Sequence, residues 1–307
     1  MAIPPPRELK ARFRAQLFTQ FAHLEGAGVP MFDTLAAIAR ALPTTAERIE
    51  RLVGLLRRGQ TLAPGAVRCG LWLPWEGDYL QVVQTGGRLE RGFARLEDLY
   101  TERALRISRL KAKLVYPAAL LVLAVVVGPL PALLQGTMTL TGYGIYLVTT
   151  LLGWYLLLRL GVDGYRQLAA RTVRLPFSLP LFYQYQRRDC CAALGLLLDA
   201  GLRADEALAQ VRASVRDPQL HRALGAAPQA VRRGQTVTQA LAAAKVVDGE
   251  WVGFVANGEA AGRLPETLEH LVRITGERLD HRLDLILGAL PGIAYALVVG
   301  FFVVGII

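Results

Sequence analysis

Residues 114–134 read LVYPAALLVLAVVVGPLPALL, an apolar stretch without a charged side chain. As a helix, a stretch of about 21 residues crosses the roughly 30 Å hydrocarbon core of a bilayer. A second apolar stretch, GYGIYLVTTLLGWYLLLRL, follows at 142–160 after a short uncharged loop. Together the two stretches predict an antiparallel transmembrane hairpin at 113–161, with spans at 114–134 and 142–160. A further apolar stretch at 284–307 predicts a third span.

The charged residues indicate how these spans are oriented. The chain is 53% hydrophobic and 20% charged, which is too apolar for an ordinary soluble protein and too charged for a bare membrane bundle. Basic residues lie before the first span, after the second and before the third: Arg103, Arg106, Arg109, Lys111, Lys113; Arg159, Arg166, Arg171, Arg174; Arg278, Arg282. The positive-inside rule therefore predicts that the N-terminus lies on the cytoplasmic side of the membrane and the C-terminus on the outer side.

The sequence outside the predicted hairpin contains an internal duplication. Leu17–Leu35 aligns without a gap on Cys190–Leu208. Further on, Arg57–Thr61 and Arg232–Thr236 are identical, and both read RRGQT. Gly87-Arg88-Leu89 then matches Gly262-Arg263-Leu264. Because three blocks recur in the same order at nearly constant spacing, we interpret them as two copies of one module.

Both copies have helical patterns, and the sequence predicts an all-α membrane protein. Apolar residues recur every three or four positions from Leu9 to Leu24, and no segment has the alternation of a strand. Each copy should contain about six helices, one of which the capping-box pattern at Thr44–Glu47 would open. The predicted domains are an N-terminal tail at 1–8, a first cytosolic module at 9–112, the hairpin, a basic linker at 162–183, a second cytosolic module at 184–283 and the last span.

One segment of the second copy is a candidate for binding a partner. Residues 258–264 read GEAAGRL and join two predicted helices. In a structural interpretation, Gly262 supplies the positive φ that ends the first of these helices. In a functional interpretation, an exposed Glu259 docks a partner together with Gly258, Gly262 and Arg263. Since the first copy has Gln84 at the position of Glu259, such docking would make the two copies inequivalent.

Catalytic, metal-binding and cofactor-binding patterns are not evident in the sequence. It contains no nucleophile elbow, and its four histidines are scattered. Nucleic-acid binding is disfavoured because no basic run is interleaved with aromatic residues. The alternative of a small-molecule or ion transporter is disfavoured because the predicted spans lack central charges and the duplication is seen in the modules rather than in the spans.

The third predicted span has a regular row of small residues. Gly288, Gly292, Ala296 and Gly300 recur at every fourth position. Such a row lets two helix backbones approach closely, so it predicts a packing seam. The partner of this seam is either the hairpin of the same chain or another subunit, and the sequence does not distinguish them.

These features resemble the inner-membrane platform proteins of type II secretion systems (F protein) and of type IV pili (PilC-type). The resemblance rests on the turn Ala27-Gly28-Val29 with its second copy Ala200-Gly201-Leu202, on the repeated Arg-Gly-Gln-Thr block, and on Gly258–Leu264, which is similar to the family's Gly-Glu-x-x-Gly-x-Leu signature. The platforms of tight-adherence pili generally carry one module per chain, and the two copies here argue against that variant.

The resemblance implies a scaffold in the bacterial inner membrane rather than an enzyme, without a cofactor. Such a scaffold couples a cytosolic hexameric assembly ATPase to the assembly of pilin or pseudopilin. The implied partners are the ATPase, the transmembrane helices of pilin or pseudopilin, other inner-membrane assembly components and further copies of the chain. Direct binding of nucleic acid is not implied. Whether the client is a retractable pilus, a DNA-uptake pseudopilus or a secretion pseudopilus is left open.

Overall fold

The computed structural model describes the backbone of residues 9–127, 129, 133, 135–136, 139–170, 179–215 and 217–306. Side chains are described throughout residues 9–109 and 183–285 except Arg216, and at some positions elsewhere. All regular secondary structure among the described residues is helical, which confirms the predicted all-α class.

The first copy contains six helices, in agreement with the prediction. They are α1 (Ala11–Gly26), α2 (Met31–Ala41), α3 (Pro43–Arg57), α4 (Leu62–Arg68), α5 (Pro74–Thr85) and α6 (Leu89–Val127). A separate helix, α7 (Leu140–Ala170), follows. The second copy contains α8 (Leu179–Asp199), α9 (Ala204–Ser214), α10 (Pro218–Ala223), a 3₁₀ turn (Leu224–Ala226), α11 (Ala227–Arg232), α12 (Val237–Ala243), α13 (Glu250–Ala260) and α14 (Leu264–Ile306).

The helices of the two copies correspond in order, with one difference. The pairs are α1 with α8, α2 with α9, α4 with α12, α5 with α13, and α6 with α14. The single helix α3 corresponds to α10, the 3₁₀ turn and α11 together. Pro228 lies at the start of α11 and has no N–H for a bond to the preceding turn, so the helix is interrupted there.

Three glycines of each copy adopt the same left-handed conformation. Gly28, Gly59 and Gly87 have φ of 69°, 82° and 66°, and their counterparts Gly201, Gly234 and Gly262 have φ of 97°, 91° and 70°. In each case the residue after the glycine donates its N–H to a carbonyl five residues earlier, as in Val29 to Leu24 at 3.0 Å and Leu202 to Leu197 at 3.0 Å. This is the Schellman geometry, for which glycine is favoured. The duplication is therefore also present in the backbone.

The helices form two compact units that do not follow the order of the chain. One unit contains the chain up to Arg106 together with Pro180–Gly276, and the other contains Ile107–Leu179 together with Glu277–Ile307. Both copies thus belong to the first unit, and their buried side chains form one hydrophobic cluster. In the first copy this core is aromatic. Stacked, tilted and edge-on ring contacts, with centroids 4.8–6.5 Å apart, connect Phe18, Phe21, Trp72, Phe93 and Tyr100. The predicted modules therefore pack as one body.

The second unit consists of the far parts of α6 and α14 together with α7. Lys113 of α6 forms an ion pair with Asp284 of α14, and the Tyr143 hydroxyl of α7 donates to the Val126 carbonyl of α6 at 2.8 Å. Among the described residues, no helix is long and apolar enough to cross a membrane. The three spans therefore stay predictions. Several positions of the first span (128, 130–132 and 134), residues 171–178 of the linker, and the side chains of Ala296 and Gly300 lie outside the described part of the chain.

Candidate partner-binding site

The structure brings the GEAAGRL segment of the second copy into contact with the start of α12, which directly follows the RRGQT block. The Glu259 Oε1 atom accepts the Val237 N–H at 2.6 Å, and its Oε2 atom accepts the Thr238 N–H at 2.8 Å and the Thr238 hydroxyl at 2.6 Å. These N–H groups belong to the first turn of α12, where no helical carbonyl can accept them. A carboxylate is favourable there because the start of a helix carries a partial positive charge. Glu259 therefore ties the end of α13 to the start of α12.

The start of α12 is also closed by a capping box. The Thr236 hydroxyl accepts the Gln239 N–H at 3.1 Å, and the Gln239 side chain accepts the Thr236 N–H at 3.2 Å. In the first copy, Thr61 is likewise the residue before α4, but its side chain makes no capping hydrogen bond, and Gln84 is exposed. The RRGQT sequence is identical in the two copies, whereas the capping of the helix that follows it is not.

Gly262 and Gly258, two other predicted site residues, determine the geometry of the turn and of the helix contact beside it. Gly262 has a φ of 70°, and the following Arg263 N–H donates to the Gly258 carbonyl at 2.8 Å. The structural interpretation of Gly262 is thereby confirmed. A Cβ at Gly258 would lie 2.0 Å from the Thr267 hydroxyl oxygen, so glycine is what lets α13 approach α14. Arg263 itself is exposed. Docking of a partner by these four residues stays a prediction.

The glycine that allows this close helix contact lies on opposite helices in the two copies. In the first copy the position of Gly258 is Val83 and the position of Thr267 is Gly92. A Cβ at Gly92 would lie 2.9 Å from the Val83 methyl carbon Cγ1. Each copy therefore places one glycine and one β-branched residue at this helix contact, but on opposite helices. A pairwise comparison of these positions in the two copies could have indicated this from the sequence.

Both copies expose arginines beside these turns. The exposed side chains are Arg57, Arg58 and Arg88 in the first copy and Arg232, Arg233 and Arg263 in the second. We call these six residues the arginine edge. Arg232 donates to the Asp205 carboxylate at 2.7 Å, which partly neutralises its charge. Because α4 packs on α5 and α12 packs on α13, the two turns of each copy lie on adjoining helices. Each copy therefore presents a positively charged edge with three exposed arginines.

A buried ionic cluster in the first copy was not predicted from the sequence. Both oxygens of Glu76 lie within hydrogen-bond distance of Arg14 Nη1, at 2.7 and 2.6 Å. Glu76 also accepts hydrogen bonds from the Tyr100 hydroxyl and from the Leu73 N–H, the latter at 2.6 Å. Burial and the Glu76 charge raise the pKa of Tyr100 well above its ordinary value. Every acceptor position of this carboxylate is occupied and all three side chains are buried, so the cluster is suited to stability rather than to catalysis.

Charged residues also join the two copies across α6 and α8. Arg188 donates to Glu102 at 2.6 Å, and Arg103 forms an ion pair with Asp189 at 2.9 Å. The Arg188 Nε atom additionally donates to the Val272 carbonyl of α14 at 3.1 Å. Arg188 therefore holds α6, α8 and α14 together at one point within the first unit.

The packing row of the third predicted span is only partly described. A Cβ at Gly288 or at Gly292 would meet no described atom within 4 Å. The side chains at positions 296 and 300 belong to the part of the chain that is not described. The predicted seam at Gly288, Gly292, Ala296 and Gly300 therefore stays a prediction.

Replacing Glu259 with glutamine should destabilise the second copy. The glutamine amide accepts hydrogen bonds only through its oxygen, so its NH₂ group cannot replace the other carboxylate oxygen. The favourable negative charge at the start of α12 is also lost. We therefore expect the free energy of unfolding to fall by about 1–2 kcal/mol. Chemical unfolding of the detergent-solubilised protein, followed by tryptophan fluorescence, would measure it. The matched control is Gln84→Glu in the first copy, which should cost little because it adds an acid near the uncapped start of α4. Equal stability of Glu259→Gln and the parent chain would show that the carboxylate has no structural role.

Comparison with known proteins identifies the family. The sequence model for type II secretion system (T2SS) protein F matches residues 17–134 and 190–307. Each matched stretch contains most of one copy and the predicted span that follows it, so the duplication extends beyond the modules. The chain is also 27% identical, over 322 aligned positions, to the type 4 fimbrial assembly protein PilC of Pseudomonas putida, with 94% of this chain and 79% of the relative covered. The chain therefore belongs to the type II secretion system protein F family, together with the PilC-type platform proteins.

Proposed function

We propose that this protein is a non-enzymatic platform that couples a cytosolic assembly ATPase to the assembly of pilin or pseudopilin. The observation that carries the proposal is the continuity of α6 and α14. Each is the last helix of one copy, and each leads along the chain into a predicted span: α6 covers Leu89–Val127 and α14 covers Leu264–Ile306. In both family-matched stretches a module would therefore be followed directly by a span.

The second unit is the proposed membrane part. The spans at 114–134, 142–160 and 284–307, with the N-terminus in the cytoplasm and the C-terminus in the periplasm, follow from the apolar stretches and the basic flanks. Because both family stretches run from module to span, the repeats are parallel in this arrangement. Inverted repeats are typical of several transporter folds, so parallel repeats do not favour the transporter alternative. The protein would reside in the bacterial inner membrane.

The arginine edge is the proposed docking surface for the ATPase. In this proposal Gly258, Glu259 and Gly262 fix the turn, and Arg263 is the side chain that contacts the partner. Arginine suits this role because its planar guanidinium can bind a carboxylate through two hydrogen bonds. We expect the complementary surface to be acidic and the affinity to fall as salt is added. The row from Gly288 to Gly300 is the proposed packing surface for a pilin helix or another subunit.

Binding to the host's assembly ATPase tests this proposal. The full chain in detergent would be compared with Arg88→Glu and Arg263→Glu, which reverse the charge at matched positions of the two copies. We expect at least one variant to weaken binding about tenfold or more, because charge reversal at a docking arginine adds repulsion to the lost contact. The variant affected would identify the copy that binds.

The control for charge is Arg222→Glu, an exposed arginine of α10 that lies outside the arginine edge. It should leave binding unchanged, and folding of each variant would be verified by its unfolding midpoint. Unchanged binding by both edge variants would remove the arginine edge from the proposal. If the parent chain fails to bind with or without nucleotide, the coupling function itself is contradicted.

A further inference from the structure

The sequence that forms the far part of α6 and most of α7 has basic residues but no acidic ones. Between Glu102 and Asp163 there is no aspartate or glutamate, whereas six arginines and lysines occur there. Three of them, Arg109, Lys111 and Arg159, are exposed in the second unit, and among the described residues none of the three has an ion-pair partner. We call these three residues the basic band.

The predicted antiparallel hairpin places the residues of the basic band at one height. The Tyr143 hydroxyl of α7 donates to the Val126 carbonyl of α6 at 2.8 Å, which indicates the register of the two helices. Arg159 lies 16 residues after Tyr143, and Lys111 lies 15 residues before Val126. At about 1.5 Å per residue, both lie roughly 22–24 Å from this hydrogen bond. The two helices therefore contribute to the same band.

On both helices the basic band is followed by a tyrosine and then by apolar residues, in the direction of the Tyr143 hydrogen bond. Tyr116 on α6 is 61% exposed and Tyr155 on α7 is 52% exposed. The Tyr155 ring centroid lies 5.5 Å from the Arg159 guanidinium carbon. The exposed apolar side chains beyond the tyrosines include Val122, Leu123, Val148 and Leu152. Charge, aromatic ring and apolar surface follow one another in this order at the boundary between water and a bilayer.

Helix α14 lacks this excess of positive charge. Its Asp284 side chain forms an ion pair with Lys113 of α6, which neutralises a further basic residue near the band. Between positions 277 and 284, α14 carries two arginines but three acidic residues. An anionic ligand would therefore be favoured on α6 and α7 rather than on α14.

We propose that the basic band binds the phosphate groups of anionic phospholipids in the cytoplasmic leaflet. The proposal rests on the proposed membrane location of the second unit. Guanidinium and ammonium groups bind phosphate through charge-assisted hydrogen bonds, and basic residues beside a span attract acidic headgroups. A soluble acidic partner would not account for the exposed apolar side chains next to the charges. Beyond orienting the spans, the band would select which lipids surround the hairpin.

Spin-labelled lipids test this selection in the intact chain. The full chain would be reconstituted into phosphatidylcholine vesicles that contain a trace of spin-labelled phosphatidylglycerol or spin-labelled phosphatidylcholine. Electron paramagnetic resonance distinguishes the lipid held at the protein surface from the bulk lipid. At low salt we expect the held lipid to favour phosphatidylglycerol about twofold or more, which is a preference of about fivefold per basic residue averaged over all surrounding lipids. The preference should largely disappear at about 1 M salt, where the Debye length is about 3 Å.

Removal of the band should abolish the preference. In the variant that combines Arg109→Gln, Lys111→Gln and Arg159→Gln, the two lipids should be held equally. The single change Arg159→Gln should reduce the preference in part, and it provides a measurement even if the triple variant inserts poorly. The matched control removes three exposed arginines of the first unit and should keep the preference of the parent chain: Arg12→Gln, Arg68→Gln and Arg222→Gln.

The outcomes separate this proposal from the proposed function. Held lipid without a preference in the parent chain would overturn the lipid selection and leave the membrane location intact. The absence of any held lipid would contradict the membrane location itself. An unchanged preference in the band variants, or an equal loss in the control, would show that the basic band is not the site.

Discussion

Replacing Glu76 with leucine should destabilise the protein by about 3–5 kcal/mol, because it leaves the Arg14 charge buried without a partner. The side chains of Arg14 and Glu76 are 4% and 0% exposed, so water cannot take the place of the lost carboxylate. Removal of Arg14 alone, as Arg14→Met, should cost a similar amount because the buried carboxylate then lacks its counter-charge. Chemical unfolding in detergent, followed by the fluorescence of Trp72 and Trp75 near the cluster, would measure both losses.

The double variant Arg14→Met with Glu76→Leu separates this explanation from a general loss of packing. When both charges are replaced by apolar side chains, no buried charge is left unpaired, so the loss should be much smaller than the sum of the single losses. It will not vanish, because the Tyr100 hydroxyl and the Leu73 N–H still lose their acceptor. The exposed pair Arg51 and Glu47 is the matched control, and its removal should cost under about 0.5 kcal/mol. Additive losses in the buried pair would contradict the account.

Replacing Gly258 with valine should have the second large effect. Its Cβ would lie 2.0 Å from the Thr267 hydroxyl oxygen, so α13 and α14 must separate. Overpacking of this kind costs about 1–3 kcal/mol, and the full chain should show a lowered unfolding midpoint or reduced recovery of folded protein. The second substitution Thr267→Gly should restore most of the loss, because Val at 258 and Gly at 267 reproduce the arrangement of Val83 and Gly92.

The same exchange in the first copy is the matched control. Gly92→Thr alone should destabilise, and the added Val83→Gly should recover part of the loss. Recovery will be incomplete in both copies, since glycine within a helix costs about 1 kcal/mol relative to alanine. If Thr267→Gly gives no recovery in the Gly258→Val chain, the two residues are not in the contact that the structure shows.

The sequence signals that proved reliable are local or repeated. The Gly28 and Gly201 turns could be predicted because a glycine after an apolar helix is the ordinary way to end it. The duplication could be found because RRGQT recurs unchanged. The prediction that a capping box at Thr44–Glu47 opens α3 is wrong, because the helix begins at Pro43 and has no side-chain cap. The Thr45 hydroxyl donates to the Leu42 carbonyl at 2.8 Å instead of accepting an N–H. Proline fits the first position of a helix and here determines where the helix starts.

The features that sequence reasoning missed depend on long-range contacts. Arg14 and Glu76 are 62 residues apart, and no local pattern marks them as partners. The sequence motif suggests that Glu259 is an exposed docking residue, whereas its carboxylate accepts hydrogen bonds from the first turn of α12, 21 to 22 residues earlier in the chain. The packing of both copies into one unit is also a tertiary property. The repeated sequence blocks locate the duplication in the modules alone, and the family match shows that it includes the sequence of the first and third predicted spans.

Fibre assembly in the host strain that lacks this gene would test the platform function most directly. The parent chain and the Arg222→Glu control should restore pili or secretion, and Arg88→Glu combined with Arg263→Glu should not. Immunoblots of the membrane fraction would establish that all the chains are present at equal levels. The account predicts loss of assembly with normal amounts of the edge variant. Normal assembly in the strain without the gene would contradict the platform function itself.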